Sequence, residues 1–281
     1  MDDHDKGLAH DLDTLGRRRV LFGAAGLAAA TVLTAWGCGG GDATSDSSAS
    51  SGSSGSSGST GSTGSSGTCA VSAEETQGPF PSDGSNTING TVSNVLALTG
   101  IVRSDIRTSF GSLSGTAAGV PTTLELTLVN VNNSCADLSG YAIYVWHCDR
   151  DGEYSLYGVA DQNYLRGVQE TDASGVATFT TIFPACYSGR MPHIHIEVYR
   201  SATTATSYTN KLKTTQLAFP TDVCTTVYAT ATGYSQSVAN FSQISFATDN
   251  VFSDGTTTEM ATVTGSVADG YTVALQVGIS V

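Results

Sequence analysis

Residues 123–131 read TLELTLVNV, and this stretch decides the fold class. Leu124, Leu126 and Leu128 alternate with a glutamate and a threonine, so the apolar side chains repeat with a period of two. Successive side chains of a β-strand point to opposite faces of a sheet. The stretch therefore predicts a strand with one face buried in a core.

Several other segments carry the same kind of pattern. Residues 271–281 (YTVALQVGISV) alternate apolar with small or polar residues, and residues 141–148 (YAIYVWHC) and 176–182 (VATFTTI) are rich in β-branched and aromatic types. The turn sequence DASG at 172–175 precedes the last of these. Many short strands with little helical periodicity predict an all-β fold, a single β-sandwich domain with long loops. One short helix is predicted over residues 222–232.

The N-terminal segment has the pattern of an export signal. Arg17, Arg18 and Arg19 precede a weakly hydrophobic run over residues 20–36, which favours a signal of the twin-arginine (Tat) type. We expect residues 1–38 to form this signal and the protein to be exported to the cell envelope or the extracellular space. Lipidation at Cys38 stays open. The alternative is an uncleaved membrane anchor, for which the apolar run over residues 20–36 is marginal, because a span needs about 20 apolar residues.

A low-complexity segment follows the predicted signal. Residues 39–68 consist almost entirely of Ser, Gly and Thr, a composition typical of a flexible linker because it offers little apolar surface to bury. We therefore expect the folded domain to comprise residues 69–281. Its length of roughly 210 residues suits a single sandwich.

Charge and cysteine content limit the functional classes. The net charge of −13 disfavours binding to nucleic acid. A lipid anchor at Cys38, if one is attached, is the membrane contact that we expect. Six cysteines suit an oxidising compartment. Without Cys38, at most two disulfides can form among the remaining five, and their pairing stays open: Cys69, Cys135, Cys148, Cys186 and Cys224.

Two histidines share one predicted strand. His193 and His195 are two positions apart in the sequence PHIHIEVY, so both imidazoles project from the same face and could clamp a metal ion. A plain polar strand face is the alternative interpretation. Glu197 shares this face, but it lies about 6.6 Å further along the strand and is expected to be solvated. Tyr154 and Tyr187 are the candidates for further ligands.

Residues 141–196 resemble the core of the intradiol ring-cleavage dioxygenases. The resemblance consists of short motifs in the family's order: VWHCD at 145–149, GEY at 152–154, LRGVQ at 165–169, FTTIFP at 179–184, and GRMPHIH at 189–195. Flanking motifs are ETQGPFP at 75–81, RSDIR at 103–107 and TQL at 215–217. One departure precedes the second tyrosine, where Pro184-Ala185-Cys186 replaces the Pro-Gly that is common in the family.

The resemblance implies a metal centre and a reaction. The metal would be non-haem iron(III), and its ligands would be Tyr154, Tyr187, His193 and His195. Arg190 would stabilise negative charge on the substrate ring, and Gln216 falls on the family's active-site glutamine. The substrates would be a small aromatic diol of the catechol type and O2. Cleavage between the two hydroxyls would yield a muconate-type dicarboxylic acid, with Tyr154 acting as a departing base.

Two other functions are compatible with the same residues. The chain could be a catalytically inactive binding module of the cell surface that keeps the sandwich scaffold. It could also be a zinc hydrolase that uses the two histidines, although the sequence offers no well-placed third histidine or carboxylate. The particular catechol and the oligomeric state stay open.

Overall fold

A computed structural model describes residues 69–281 of the chain. The predicted signal over residues 1–38, including Cys38, and the predicted linker over residues 39–68 lie outside the described residues. Within residues 69–281, no helix is long and apolar enough to cross a membrane.

Strands dominate the described domain. The eleven strands of residues 69–281 are β1 (Asp83–Ile88), β2 (Thr91–Asn94), β3 (Pro121–Asn130), β4 (Ala136–Asp137), β5 (Ala142–Trp146), β6 (Arg166–Glu170), β7 (Val176–Ile182), β8 (His193–Tyr199), β9 (Lys211–Ala218), β10 (Thr262–Ser266) and β11 (Gly270–Ile279). The two α-helices of these residues are α1 (Thr221–Thr230) and α2 (Ser235–Phe241), and short 3-10 turns include Phe246–Thr248 and Phe252–Asp254.

Two open sheets form the layers of the sandwich. The first has the order β10-β11-β3-β4, with β7 also pairing with β3; β3 and β11 run parallel, and the other pairs are antiparallel. The second has the order β6-β5-β8-β9 and is antiparallel throughout. A separate hairpin joins β1 and β2. The prediction of an all-β sandwich is confirmed.

The core lies between the two sheets. The three leucines of β3 are fully buried and share one hydrophobic cluster with Ile194, Ile196 and Val198 of β8. Burial of each such side chain contributes about 1.5–3 kcal/mol. Because these three β8 residues fill the core side, the alternate residues of the strand project from the other face of the second sheet, as the alternation predicts.

The helical content exceeds the prediction by one element. Helix α1 corresponds to the predicted helix over residues 222–232, whereas α2 was not predicted because its seven residues are mostly polar. Helix α2 is nevertheless tied to the core. Ser237 accepts a hydrogen bond from the backbone N–H of Cys186 (3.0 Å), and Asn240 donates one to the Cys186 carbonyl (2.9 Å). These bonds fix the chain next to Tyr187.

One disulfide closes the start of the domain. Cys69 is bonded to Cys135, which lies 66 residues later in the turn between β3 and β4. Cys148 and Cys224 are buried thiols, and burial raises the pKa of both. A single disulfide among the described residues agrees with the predicted limit of two.

Candidate metal centre

The structure brings together the four residues predicted to be metal ligands. The Nε2 atoms of His193 and His195 are 3.1 Å apart at the start of β8. The Oη atom of Tyr154 lies 3.2 Å from Nε2 of His193, and the Oη atom of Tyr187 lies 3.4 Å from the same nitrogen. Tyr154 and both histidines are buried, whereas Tyr187 is half-buried. Two phenol oxygens and the second imidazole nitrogen therefore all lie within 3.4 Å of Nε2 of His193.

These separations fit donors that share one metal ion. Two atoms bound about 2.1 Å from an ion, at angles of roughly 90–109° to each other, lie roughly 3.0–3.4 Å apart. In the part of the chain that the structure describes, no group of three or more His, Cys, Asp or Glu side chains could hold a metal. The four-donor set at this place consists of His193, His195 and the phenol oxygens of Tyr154 and Tyr187.

A backbone carbonyl fixes the tautomer of His193. Its Nδ1 atom lies 2.7 Å from the carbonyl oxygen of Met191. Since a carbonyl can only accept, Nδ1 must carry the proton, and Nε2 presents its lone pair to the other donor atoms. Backbone carbonyls commonly orient metal-binding histidines in this way.

The ring of His195 lies flat on a tryptophan. The rings of Trp146 and His195 are stacked, with centroids 4.7 Å apart and planes inclined by 1°. The two residues are directly paired between β5 and β8, so the sheet register itself produces the contact. Trp146 belongs to the VWHCD motif, which by itself gives no indication of this contact.

Burial sets the protonation of the donors. Burial lowers the pKa of His193 and of His195, and the positive charge of Arg190 lowers each pKa further. Burial also raises the pKa of Tyr154, as does the neighbouring phenol of Tyr187. Both imidazoles are therefore neutral donors, and a cation close to the phenols would favour their ionised form.

Gly152, two residues before Tyr154, lies so close to Tyr187 that only glycine fits without strain. Gly152 has a φ of +85°, and a Cβ atom at this position would lie 3.2 Å from Cβ of Tyr187. The motif that ends in Tyr154 thus packs directly against the second tyrosine. A side chain at residue 152 would both strain the turn and push Tyr187 away.

A segment from residue 75 to residue 81 covers the donors. Gly78 has a φ of +64°, and a Cβ atom there would lie 3.2 Å from Cε1 of His195. The ring of Phe80 lies 4.9 Å from the ring of Tyr154. Arg166 anchors this segment by donating hydrogen bonds to the backbone carbonyls of residues 80 and 81 (2.9 and 3.0 Å).

Arg190 and Gln216 lie together beside the histidine pair. Nη2 of Arg190 donates to Oε1 of Gln216 (2.8 Å), and Nε2 of Gln216 donates to the carbonyl of Thr76 (2.9 Å). Gln216 is paired with His195 between β9 and β8, so both side chains are on the same face of the sheet. The structure therefore brings both predicted active-site residues to the donor cluster.

Asp249 is a buried partner of this site that no motif in the sequence indicates. Its carboxylate accepts from Nε of Arg190 (3.1 and 3.2 Å) and from the backbone N–H of Met191 (2.6 Å). It also accepts from the N–H groups of Val251 and Phe252 (2.8 and 3.1 Å). Asp249 lies in an irregular segment 59 residues after Arg190, where no periodic pattern could indicate it.

The prediction that Glu197 is solvated was wrong. Its side chain is fully buried, accepting from the Tyr199 hydroxyl (2.7 Å) and from Nζ of Lys211 (3.1 Å). Burial raises its pKa to about 7. The reason is that both faces of the second sheet are covered, one by the core and the other by a smaller hydrophobic cluster that includes Tyr144 and Phe80.

Two further carboxyl groups are buried near Arg190. Glu259 is 1% exposed, and neither of its carboxyl oxygens has a hydrogen-bond partner among residues 69–281. Burial raises its pKa to about 8, and the negative charge of Glu75 contributes. Burial likewise raises the pKa of Glu75 to about 7, with a contribution from Asp254.

Comparisons with known proteins identify the fold. No protein-family model and no curated protein sequence match the chain. Among solved structures, the chain is similar to an intradiol ring-cleavage dioxygenase from Tetranychus urticae, with 23% identity and a TM-score of 0.56. A second solved structure, described as a dioxygenase, is also 23% identical, with a TM-score of 0.55. Each comparison covers 75% of this chain and 95% of the other. The chain therefore has the fold of these two dioxygenases.

Proposed function

We propose that the chain is a non-haem iron(III) enzyme that cleaves catechol-type aromatic diols between the two hydroxyls with O2. The products would be dicarboxylic acids of the muconate type. One observation carries this proposal, namely the convergence of the Tyr154 and Tyr187 phenols on the paired imidazoles of His193 and His195, with separations of 3.1–3.4 Å.

The donor set favours ferric iron over the other common metals. Phenolates are hard, anionic oxygen donors, and two of them stabilise a trivalent ion, whereas neutral imidazoles add no charge. Catalytic zinc sites usually have three ligands drawn from His, Cys and carboxylates. When bound, iron(III) draws electron density from a chelated diol and makes its ring reactive toward oxygen.

Tyr154 is the residue best suited to accept a proton from the diol. Its hydroxyl is buried, and burial raises the pKa of this phenol. As a phenolate, Tyr154 would therefore be a strong base at its Oη atom. Tyr187 is half-buried, and its hydroxyl lies slightly further from His193. The greater burial of Tyr154 supports the proton-accepting role that the family resemblance gives it.

Arg190 supplies a fixed positive charge. Its guanidinium is held by Gln216 and Asp249 and is 1% exposed, so its position is set before substrate binds. A preorganised charge of this kind stabilises negative charge that builds up on the ring. Removal of such a group typically slows the chemical step by about 10²–10³.

The fold similarity supports the same reaction. The first of the two solved structures is described as an intradiol ring-cleavage dioxygenase. The proposed substrates, a small aromatic diol and O2, follow from that description together with the donor set.

The decisive experiment measures metal, colour and product on one preparation. We expect purified protein from iron-replete cells to contain about one iron per chain and to absorb visible light through tyrosinate bound to iron(III). It should consume O2 with at least one of a panel of catechols and give a product cleaved between the hydroxyls. Tyr187→Phe should weaken the visible absorption, whereas Tyr208→Phe, at an exposed tyrosine, should not.

Other outcomes would point to the other functions. A colourless, iron-free protein from the same culture would favour a binding module. Zinc that is retained in Tyr154→Phe would favour a hydrolase, because zinc retention should not depend on that phenol. A product cleaved beside the hydroxyls would contradict the proposed reaction even if iron is bound.

Export and domain organisation form part of the proposal. Residues 1–38 would direct export, and residues 39–68 would link the signal or a lipid anchor to the domain over residues 69–281. The disulfide between Cys69 and Cys135 supports an oxidising compartment, where such bonds persist. Cell fractionation with an antibody to the domain would test this, and a purely cytosolic location would contradict it.

A further inference from the structure

The charge of Arg190 needs a buried partner. A guanidinium is always protonated, and at 1% exposure it has almost no contact with water. Burial of an unpaired charge is costly, so the charge must be compensated within the protein. Gln216 gives a neutral hydrogen bond, whereas Asp249 gives an ion pair at 3.1 Å in which the carboxylate is also fully buried.

The Asp249 carboxylate also accepts hydrogen bonds from backbone N–H groups of two separate segments. One segment contains Met191, whose N–H donates to Asp249 at 2.6 Å and whose carbonyl orients His193. The other segment contains Val251 and Phe252, whose N–H groups also donate to Asp249. Asp249 thus joins the loop before β8 to a segment about 60 residues later in the chain.

The segment after Asp249 places the ring of Phe252 against the site. Its ring lies 5.7 Å from the guanidinium carbon of Arg190 and 6.4 Å from the ring of His193, where it packs edge to face. Asp249 therefore sets the position of an aromatic ring that contacts both Arg190 and a predicted ligand.

The other carboxyls near Arg190 are less suited to this role. Glu75 and Glu259 have pKa values raised by burial to about 7 and about 8, so at neutral pH much of each is protonated. The carboxyl oxygens of Glu259 have no hydrogen-bond partner among the described residues. Asp249 makes an ion pair with the guanidinium at 3.1 Å and accepts from three backbone N–H groups.

We infer that Asp249 is a positioning residue of the proposed dioxygenase centre. Its carboxylate fixes the guanidinium of Arg190 beside the imidazole pair and fixes the Met191 backbone that orients His193. The inference rests on the proposed function for its catalytic part, whereas its structural part, the coupling of Asp249 to Arg190, does not.

A double-variant cycle tests the inference. The variants are Asp249→Asn, Arg190→Gln and the combination of the two, and the asparagine keeps the shape and one acceptor oxygen while it removes the charge. In the wild-type background, Asp249→Asn should lower kcat about 10–100-fold, with the KM for catechol changed less than about threefold. In the Arg190→Gln background, Asp249→Asn should lower kcat less than about threefold, because the guanidinium that Asp249 positions is absent.

The melting temperatures of the same variants test the inference without a catalytic assay. Each single variant leaves one buried charge without its partner, whereas the double variant leaves none. In chelator-treated protein, the double variant should therefore melt about 6 °C or more above either single variant. Asp137→Asn, at an exposed aspartate of β4, is the control and should change neither kcat nor the melting temperature.

The outcomes separate the inference from the proposed function. Effects of the two single variants that simply multiply in kcat and add in melting temperature would overturn the inference. If Asp249→Asn does not fold, the comparison of Arg190→Gln with the double variant decides, and a further tenfold loss of kcat in the double variant would overturn it. A wild-type chain that cleaves no diol would remove the proposed function, while the melting temperatures would still decide the pairing.

Discussion

The replacement of Glu259 by glutamine should stabilise the protein at alkaline pH and leave it unchanged at acidic pH. Glu259 is buried, and neither carboxyl oxygen has a hydrogen-bond partner among the described residues. Burial raises its pKa from the ordinary 4.5 to about 8. Glutamine has nearly the same shape as protonated glutamate and cannot ionise, so the variant isolates the cost of the buried charge.

The sign follows from the proton balance. Because the pKa is higher in the folded chain than in the unfolded chain, the folded state binds more protons between pH 4.5 and about 8. The favourable contribution of protonated Glu259 is fully present below pH 4.5 and is lost as the pH rises through 8. Each pKa unit corresponds to about 1.4 kcal/mol. The shift from 4.5 to about 8 therefore lowers the free energy of unfolding at alkaline pH by at most about 5 kcal/mol. We expect about 2–4 kcal/mol, because an ionised carboxylate draws water toward it.

Equilibrium unfolding in urea at pH 5, 7 and 9 measures this effect. Chelator-treated wild type and Glu259→Gln should differ by less than about 1 kcal/mol in the free energy of unfolding at pH 5, and the variant should be more stable by about 2–4 kcal/mol at pH 9. Glu125→Gln, at a partly exposed glutamate of β3, is the control and should keep the pH dependence of the wild type. A constant difference between wild type and Glu259→Gln at all three pH values would refute the reasoning, as would a more stable wild type at pH 9.

Three other substitutions have expected outcomes. Gly78→Ala should lower iron affinity about 10–100-fold in a metal titration, because the added Cβ presses on His195 from a strained backbone, whereas Gly90→Ala, with open space around it, should bind iron normally. Cys69→Ser should lower the free energy of unfolding by about 4 kcal/mol in urea, since the lost disulfide closes a 66-residue loop; a loss below about 1 kcal/mol would contradict this. Leu126→Ala should cost about 2–5 kcal/mol in the same assay, because the leucine is fully buried between the sheets, and an effect under about 1 kcal/mol would show that the core side of β3 is misassigned.

Parts of the candidate site could be predicted because they depend on local geometry or on a resemblance. The alternation along one strand puts His193 and His195 on the same face, whatever the rest of the fold. The resemblance to the intradiol ring-cleavage dioxygenases then pointed to Tyr154 and Tyr187, whose loops give no periodic signal of their own. The structure brings all four side chains together, and the assignment of iron to them stays a prediction.

Asp249, Glu259 and the burial of Glu197 could not be predicted in this way. Asp249 and Glu259 lie in irregular segments, where neither the period of two nor a recognised motif applies. For Glu197 the alternation gave the correct face of the strand but not what covers that face. A pattern along the chain shows which side a residue is on, but not which distant segment packs against that side.

The amino-acid sequence by itself determined the strand pattern, the sandwich class and the shared direction of the two imidazoles. These properties follow from backbone geometry that repeats every two residues. Only the tertiary structure decided that the segment at residues 75–81 lies on His195, that Asp249 pairs with Arg190, and that a carboxyl group is buried at residue 259. Such contacts join residues far apart in the chain, and they depend on how two sheets and their loops fill the same volume.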